Sequence, residues 1–350
     1  MRSTFGTSQR PARRRHAVGA VLLSVAAVAA LTSCAEEPGK SGGKSGDAIT
    51  VGLTYTPNIQ FAPFYVAQEK GFYKSAGIEV NIRHHGAAED LFGALKRGKE
   101  DVVYAGGDEI LQARAKNLPI VDIATVYHKY PVALLVPEDS DIKKPADLKG
   151  KTLGTPGPYG ETYFGLLALL KEGGLTPKDA KVKYIGFTQQ AALKGDRVDG
   201  VMGYTNNDAI AFKESGTPVR ALNLSSEGGG QALVGPSLGA KQATLDKRGD
   251  DVRKFVDASL RGMQYTIDHP QEAVKLSQKY IPGLRDKGRQ ENALAVLMAT
   301  RPLMRNDNGE LGYIDPQVWD KMADFMYGQG LLDEQIQAEE AYDAEYLPKS

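Results

Sequence analysis

The feature that most restricts this chain is a short unit that occurs twice. Leu95-Lys96-Arg97-Gly98 leads into Asp101-Val102-Val103-Tyr104, and Leu193-Lys194-Gly195 leads into Asp199-Gly200-Val201-Met202. In each copy an amphipathic segment ends at a glycine able to take positive φ. An aspartate then opens a brief apolar run that reads as a buried strand. The wide separation of the copies excludes a solenoid period and points to one helix-to-strand unit used once in each of two lobes.

The surrounding pattern agrees. Strand-length runs at 49–54, 78–83, 101–105, 120–126 and 132–136 alternate with helical periodicity at 64–75, 89–97 and 108–116. A second series has strands at 152–154, 181–185, 200–203 and 219–223, with helices at 161–172, 189–194 and 207–215. One further strand is expected at 232–237, followed only by helices, at 251–268, 270–280, 291–300 and 316–329. This is an α/β chain with mostly parallel sheets. Residues 48–135 plus 232–345 are expected to form lobe 1, and 136–231 lobe 2. Two crossings, near Val132 to Val136 and Gly230 to Val234, would act as hinges. A cleft then falls between the carboxyl ends of the two sets of strands.

The amino terminus does not belong to that fold. Arg13, Arg14 and Arg15 precede an apolar, alanine-rich run from Ala17 to Leu31 that is too short to span a membrane securely, so residues 1–33 read as an export signal. Leu31-Thr32-Ser33-Cys34 resembles the lipobox of bacterial lipoproteins, with Cys34 the lipidated residue. Residues 34–47 lack large apolar side chains after Cys34 and read as a flexible tether. Two or three acyl chains, at roughly 0.8 kcal/mol per buried CH₂, would anchor the protein stably. Cys34 is the only cysteine of the 350 residues, which excludes internal disulfides and cysteine-rich metal sites. All five leader arginines precede Cys34 and no acidic residue does, so the remainder holds 38 basic against 43 acidic side chains. That balance argues against nucleic acid as a partner.

Three stretches carry a family resemblance. Tyr55-Thr56-Pro57-Asn58-Ile59-Gln60-Phe61-Ala62-Pro63-Phe64-Tyr65 is followed by Lys70-Gly71-Phe72-Tyr73. Gly150-Lys151-Thr152-Leu153-Gly154 leads to Gly157-Pro158-Tyr159-Gly160-Glu161-Thr162. Gly186-Phe187-Thr188-Gln189-Gln190 is followed by Gly203-Tyr204-Thr205-Asn206-Asn207-Asp208. Together they resemble the solute-binding proteins of the nitrate, sulfonate and taurine group, and within it the branch that binds thiamine-pyrimidine precursors. The resemblance implies a type II periplasmic-binding-protein fold of two Rossmann-like lobes. It also implies an ABC permease with its ATPase subunits as partners, a monomeric carrier and no cofactor.

The resemblance and the residue chemistry suggest a ligand-binding set of Asn58, Phe61, Phe64, Tyr104, Gly106, Glu109, Pro158, Tyr159, Gly160, Glu161, Phe187 and Asn206. Asn58 offers donor and acceptor past a strand end, or it caps the next helix. Asn206 to Asp208 equally suit a ligand amine or a helix N-cap. The helix start near Glu161 offers free N–H groups that suit an acceptor or an anion, while Tyr159 could stack. Aromatic and acidic groups outnumber cations, which favours an aminopyrimidine-like heterocycle over a nitrate- or sulfonate-type anion. Thiamine-precursor binders often carry His where Phe61 stands.

The same branch contains fungal thiamine-pyrimidine synthases, in which a lysine holds pyridoxal phosphate and a histidine follows four residues later. The corresponding positions here are Ala105 and Glu109, and the fungal cysteine-rich iron motif has no counterpart near 231–237. Without that amine no Schiff base forms. No Gly-x-Ser-x-Gly elbow occurs, and the five histidines lack metal-ligand spacing. His84 and His85, adjacent on a strand, face opposite ways and are expected at the surface. A sensor domain or a purely structural surface lipoprotein are readings of a different class.

Overall fold

The computed structural model describes residues 48–86, 88–225 and 233–349. The expected signal, Cys34, the tether and most of the glycine-rich second crossing lie outside the described residues. Among the described residues no helix is long and apolar enough to cross a membrane.

Among the described residues ten strands form two five-stranded sheets. The first joins β1 (Ile49–Leu53), β2 (Val80–His84), β3 (Val102–Gly106), β4 (Ile120–Thr125) and β10 (Pro236–Lys241), in the order β2-β1-β3-β10-β4. The second joins β5 (Val132–Pro137), β6 (Thr152–Thr155), β7 (Lys181–Tyr184), β8 (Gly200–Tyr204) and β9 (Val219–Leu222), in the order β7-β6-β8-β5-β9. In each sheet three parallel strands are followed by one antiparallel strand, β10 or β5. The two sheets therefore have equivalent order, as the repeated unit implied.

The repeat has a physical basis at the opening aspartates. Asp101 donates its backbone N–H to the Thr50 carbonyl while its Oδ2 accepts the Thr50 N–H at 2.9 Å. Asp199 does the same with Thr152, its Oδ2 accepting at 2.7 Å. Each aspartate thus satisfies a strand-end donor that the sheet leaves unpaired. Positive φ falls at Gly98 in the first copy, but at Asp196 rather than Gly195 in the second. A short polar side chain tolerates that region, so the turn shifted by one residue without glycine.

Two boundaries differ from the sequence reading. The expected crossing at 132–136 is β5 itself, an apolar run whose pairs with β8 and β9 put it wholly in the second sheet. The chain therefore passes between sheets before Val132. The strand expected at 232–237 begins only at Pro236, the first residue with a register partner in β3, and runs on to Lys241.

Helices complete both lobes. Gln242–Asp268 packs along Ala62–Glu69 at Gly262, where a Cβ would lie 2.2 Å from the Pro63 carbonyl oxygen. Only glycine permits that approach. Phe61, Phe64, Tyr65, Phe255 and Leu53 fill the core beneath this pair, and burial of such side chains supplies most of the stabilisation.

His84 is half-buried and His85 fully buried, so neither lies free at the surface. The ring of His84 lies 3.0 Å from the Tyr65 hydroxyl and 3.1 Å from the Tyr55 carbonyl. His85 is buried, 2.8 Å from Glu100, whose carboxylate also pairs with Arg83. The carboxylate of Glu100 fits over β1 because residue 52 is glycine. A buried anion supplied the partner that adjacency alone could not reveal.

Candidate functional site

The carboxyl ends of β1 and β3 meet the loop after β6 and the end of β8 around a cavity of about 80 Å³. That holds a few waters and is smaller than a site for a heterocyclic guest. The cleft is drawn nearly shut, and cross-lobe contacts account for it. The rings of Tyr55 and Phe187 meet at a tilt of 58° with centroids 4.4 Å apart. Asn58 Nδ2 donates to Asn207 Oδ1 at 3.4 Å, and Asn206 Nδ2 donates to Thr300 Oγ1 at 2.7 Å. At the centre, the backbone N–H of Glu161 donates to Glu109 Oε1 at 2.8 Å.

Local sequence explains that centre. Gly106 ends β3 and starts the helix Gly107–Ala115, and its N–H donates to Glu109 Oε2 at 2.7 Å. Glu109 thereby caps its own helix with one oxygen and the second lobe's helix, Gly160–Glu172, with the other. A Cβ on Gly106 would lie 2.4 Å from Glu161 Cγ, and one on Gly160 would lie 2.9 Å from Glu109 Oε1. Gly160 also has φ +82°, so glycine is required there on two grounds.

Three carboxyls gather at this point. Asp108 accepts from the Tyr130 hydroxyl at 2.6 Å and from the Glu109 N–H at 2.7 Å. Burial pushes Asp108 up to about 7. Burial, with the Asp108 charge added, pushes Glu109 up to about 8 against the pull of its two backbone donors. Burial raises Glu161 well above the carboxylate range, with Asp108 and Glu109 adding and the Tyr204 hydroxyl opposing. Tyr204 donates to Glu161 Oε2, while Oε1 is buried and has no hydrogen-bond partner. Asp208, also on the cavity wall, is pushed up to about 6 by burial and accepts the Tyr204 N–H at 2.8 Å.

Of the residues singled out from sequence, Phe61, Tyr104, Glu109, Tyr159, Gly160, Glu161 and Phe187 line this cavity. The other five do not. Asn58 caps the turn Ile59–Phe61 through its Oδ1, 3.1 Å from the Gln60 N–H, and sits at the outer rim. Phe64 is core, edge-on to Tyr104. Gly106 lies beneath Glu161. Pro158 points to solvent, and Asn206 is buried behind the wall against Thr300. The helix N-terminus expected to offer free donors has its Glu161 N–H taken by Glu109. Asn207 and Asp208, weighed from sequence as ligand contacts or a helix N-cap, are on the cavity wall, and so are Tyr55, Gln60, Thr162, Gln189 and Tyr204, which sequence reasoning passed over. They stand inside the quoted motifs, but only the turn geometry tells which neighbour faces inward. Among the described lining residues none is Lys, Arg or His, and among the described residues no cluster of His, Cys, Asp and Glu could hold a metal.

A family profile described as NMT1/THI5 like matches residues 58–273. The chain belongs to the NMT1/THI5-like family. It is similar to the riboflavin-binding protein RibY of Chloroflexus aurantiacus, 34% identical over 313 residues covering 86% of each chain. It also resembles the formylaminopyrimidine-binding protein of Halalkalibacterium halodurans, 25% identical over 307 residues, covering 85% of this chain and 90% of the relative. A 4-amino-5-hydroxymethyl-2-methylpyrimidine phosphate synthase of Legionella pneumophila is 25% identical over 308 residues, covering 86% and 92%. Among solved structures, the alkanesulfonate-binding protein SsuA of Xanthomonas axonopodis pv. citri, bound to MOPS, superposes with a TM-score of 0.66 at 20% identity, covering 86% of this chain and 99% of SsuA. The fold is that of the periplasmic binding proteins, and solute binding is the role that fold and relatives support.

Proposed function

We propose that the NMT1/THI5-like protein described here is the substrate-binding lipoprotein of an ABC importer. It is exported, anchored outside the membrane through Cys34, and captures a flat nitrogen heterocycle of the riboflavin or aminopyrimidine kind for a permease and its ATPase. Residues 48–131 with the segment after 232 would form one jaw and residues 132–231 the other, hinged at the two crossings.

The observation that carries the ligand class is the cavity wall. It offers the rings of Tyr55, Phe61, Tyr104, Tyr159, Phe187 and Tyr204 together with the carboxyls of Glu109, Glu161 and Asp208. Stacking and hydrogen bonds from ring N–H or amino groups suit such a wall. An anion of the nitrate or sulfonate type finds no cation on it, and Glu109 already occupies the helix N-terminus an anion would seek. Riboflavin heads the candidates because RibY is the more similar of the two binding relatives. A flat guest seated between Tyr55 and Phe187 needs the rings roughly 7 Å apart, two van der Waals gaps, so capture requires the jaws to open from the present 4.4 Å.

The synthase reading fares less well. Ala105, in β3, supplies no amine for pyridoxal phosphate, and no lysine is among the described cavity residues. Thermal shift of the purified protein with riboflavin and with aminopyrimidines tests the proposal. A carrier gains about RT ln(1 + [L]/Kd), roughly 2.7 kcal/mol at a hundredfold excess over Kd. Absence of any shift with either ring class would refute it.

A further inference from the structure

Glu161 Oε1 is the one carboxylate oxygen of the central three that is buried, lines the cavity region and lacks a partner. Glu161 as a whole is 4% exposed. Every other oxygen in the cluster is engaged. Glu109 accepts the Gly106 and Glu161 N–H groups, Asp108 accepts from Tyr130 and the Glu109 N–H, and Glu161 Oε2 accepts from Tyr204. A buried acceptor left unsatisfied costs stability unless a guest completes it.

We propose, resting on the carrier reading above, that Glu161 Oε1 is the acceptor that reads a single N–H on the edge of an uncharged flat heterocycle, and that Tyr204 is its positioning residue. One free oxygen matches one donor. Tyr204 fixes the carboxyl from β8, and Gly106 leaves the space beneath its Cγ in which the side chain lies.

The groups that face Glu161 are Asp108 and Glu109 from the helix after β3, Tyr104 from β3, Tyr127 and Tyr130 from the crossing, and Tyr204 from β8. None is a cation. A donor on the guest stabilises the carboxylate form of Glu161, so binding releases a proton and affinity rises with pH. A guest that instead accepted from a protonated Glu161 would give the opposite slope.

The test uses the full-length protein in detergent and two probes, riboflavin and 4-amino-5-hydroxymethyl-2-methylpyrimidine. Each is paired with a counterpart whose donor is removed by methylation, at N3 of the flavin or twice on the exocyclic amine, giving the dimethylamino compound. Expected is a loss of roughly tenfold or more on methylation and a similar loss with Glu161→Gln, with the Gln variant no longer distinguishing parent from methylated ring. Tyr204→Phe should move the midpoint of the affinity-pH curve upward, because the hydroxyl that favours the carboxylate is gone; a merely structural tyrosine would leave the midpoint in place. Equal affinity of the unaltered protein for a parent ring and its methylated partner, or affinity that falls as pH rises, would overturn this inference and leave the carrier intact. Failure to bind either parent ring would overturn the heterocycle-carrier reading itself, and this inference with it.

Discussion

The two ends of the central strands put the same side-chain chemistry to opposite use. At the amino ends, Asp101 is partly buried and Asp199 exposed, and each accepts the N–H of the neighbouring strand. At the carboxyl ends, Asp108, Glu109 and Glu161 are buried together, held off their ordinary ionisation by desolvation, and one oxygen is left over. A carboxylate at a wet strand end finishes a sheet. Three of them crowded in a closed cleft form a polar surface that is incomplete until something enters, which is the ordinary condition of a binding site and a costly one for a core.

The largest test of that contrast is pH. The raised carboxyls keep their protons in the folded state at pH values where the unfolded chain has lost them. Their stabilising contribution is full below the ordinary carboxylate range near 4. It is lost as pH rises through about 6 for Asp208, about 7 for Asp108 and about 8 for Glu109. Within that window each ionising group lowers stability by up to about 1.4 kcal/mol per pH unit. The melting temperature of the ligand-free protein should therefore fall from pH 5 to pH 8; a flat or rising profile would break the comparison.

Next comes Gly106→Ala. The added Cβ meets Glu161 across the closed cleft and Asp108 within its own lobe, clashes of the kind that cost about 1–3 kcal/mol. Ligand affinity measured by calorimetry should drop by roughly tenfold or more, and the melting point of the empty protein should fall as well, because Asp108 stays beside the new methyl whether or not the jaws part. At the other end, Asp199→Ala leaves the Thr152 N–H without its acceptor and should cost about 1–2 kcal/mol in urea unfolding with no change in ligand affinity. Asp101→Ala should cost more, since Asp101 also pairs with Arg248 at 3.1 Å. Smallest is Phe187→Ala, which removes one stacking wall and should weaken a flat guest by about 0.5–1.5 kcal/mol beyond the area lost.

Much of this is legible in the amino-acid sequence. The doubled glycine-aspartate unit marked two equivalent sheets, and the alternation of runs located nearly every strand. β5 was placed with the wrong neighbours because an apolar run such as Val132-Ala133-Leu134-Leu135-Val136 suits the centre of either sheet; only its pairing with β8 and β9 decides. At the cleft, Glu109 and Glu161 stood out as acids in glycine-bounded turns. Tyr204 did not, since Asn206, Asn207 and Asp208 after it look equally suited to face a ligand. The rotation of that turn, which buries Asn206 against Thr300 and turns Tyr204 to Glu161, depends on a helix almost a hundred residues further along the chain.

Equilibrium dialysis of the full-length protein against riboflavin, with the ligand afterwards released by denaturation and weighed by mass spectrometry, bears most directly on the cleft as a place of capture without chemistry. Expected is saturable binding of one molecule per chain and recovery of the flavin with its mass unchanged. Recovery of a converted compound, or saturable uptake of a sulfonate such as MOPS in place of any ring donor, would contradict it.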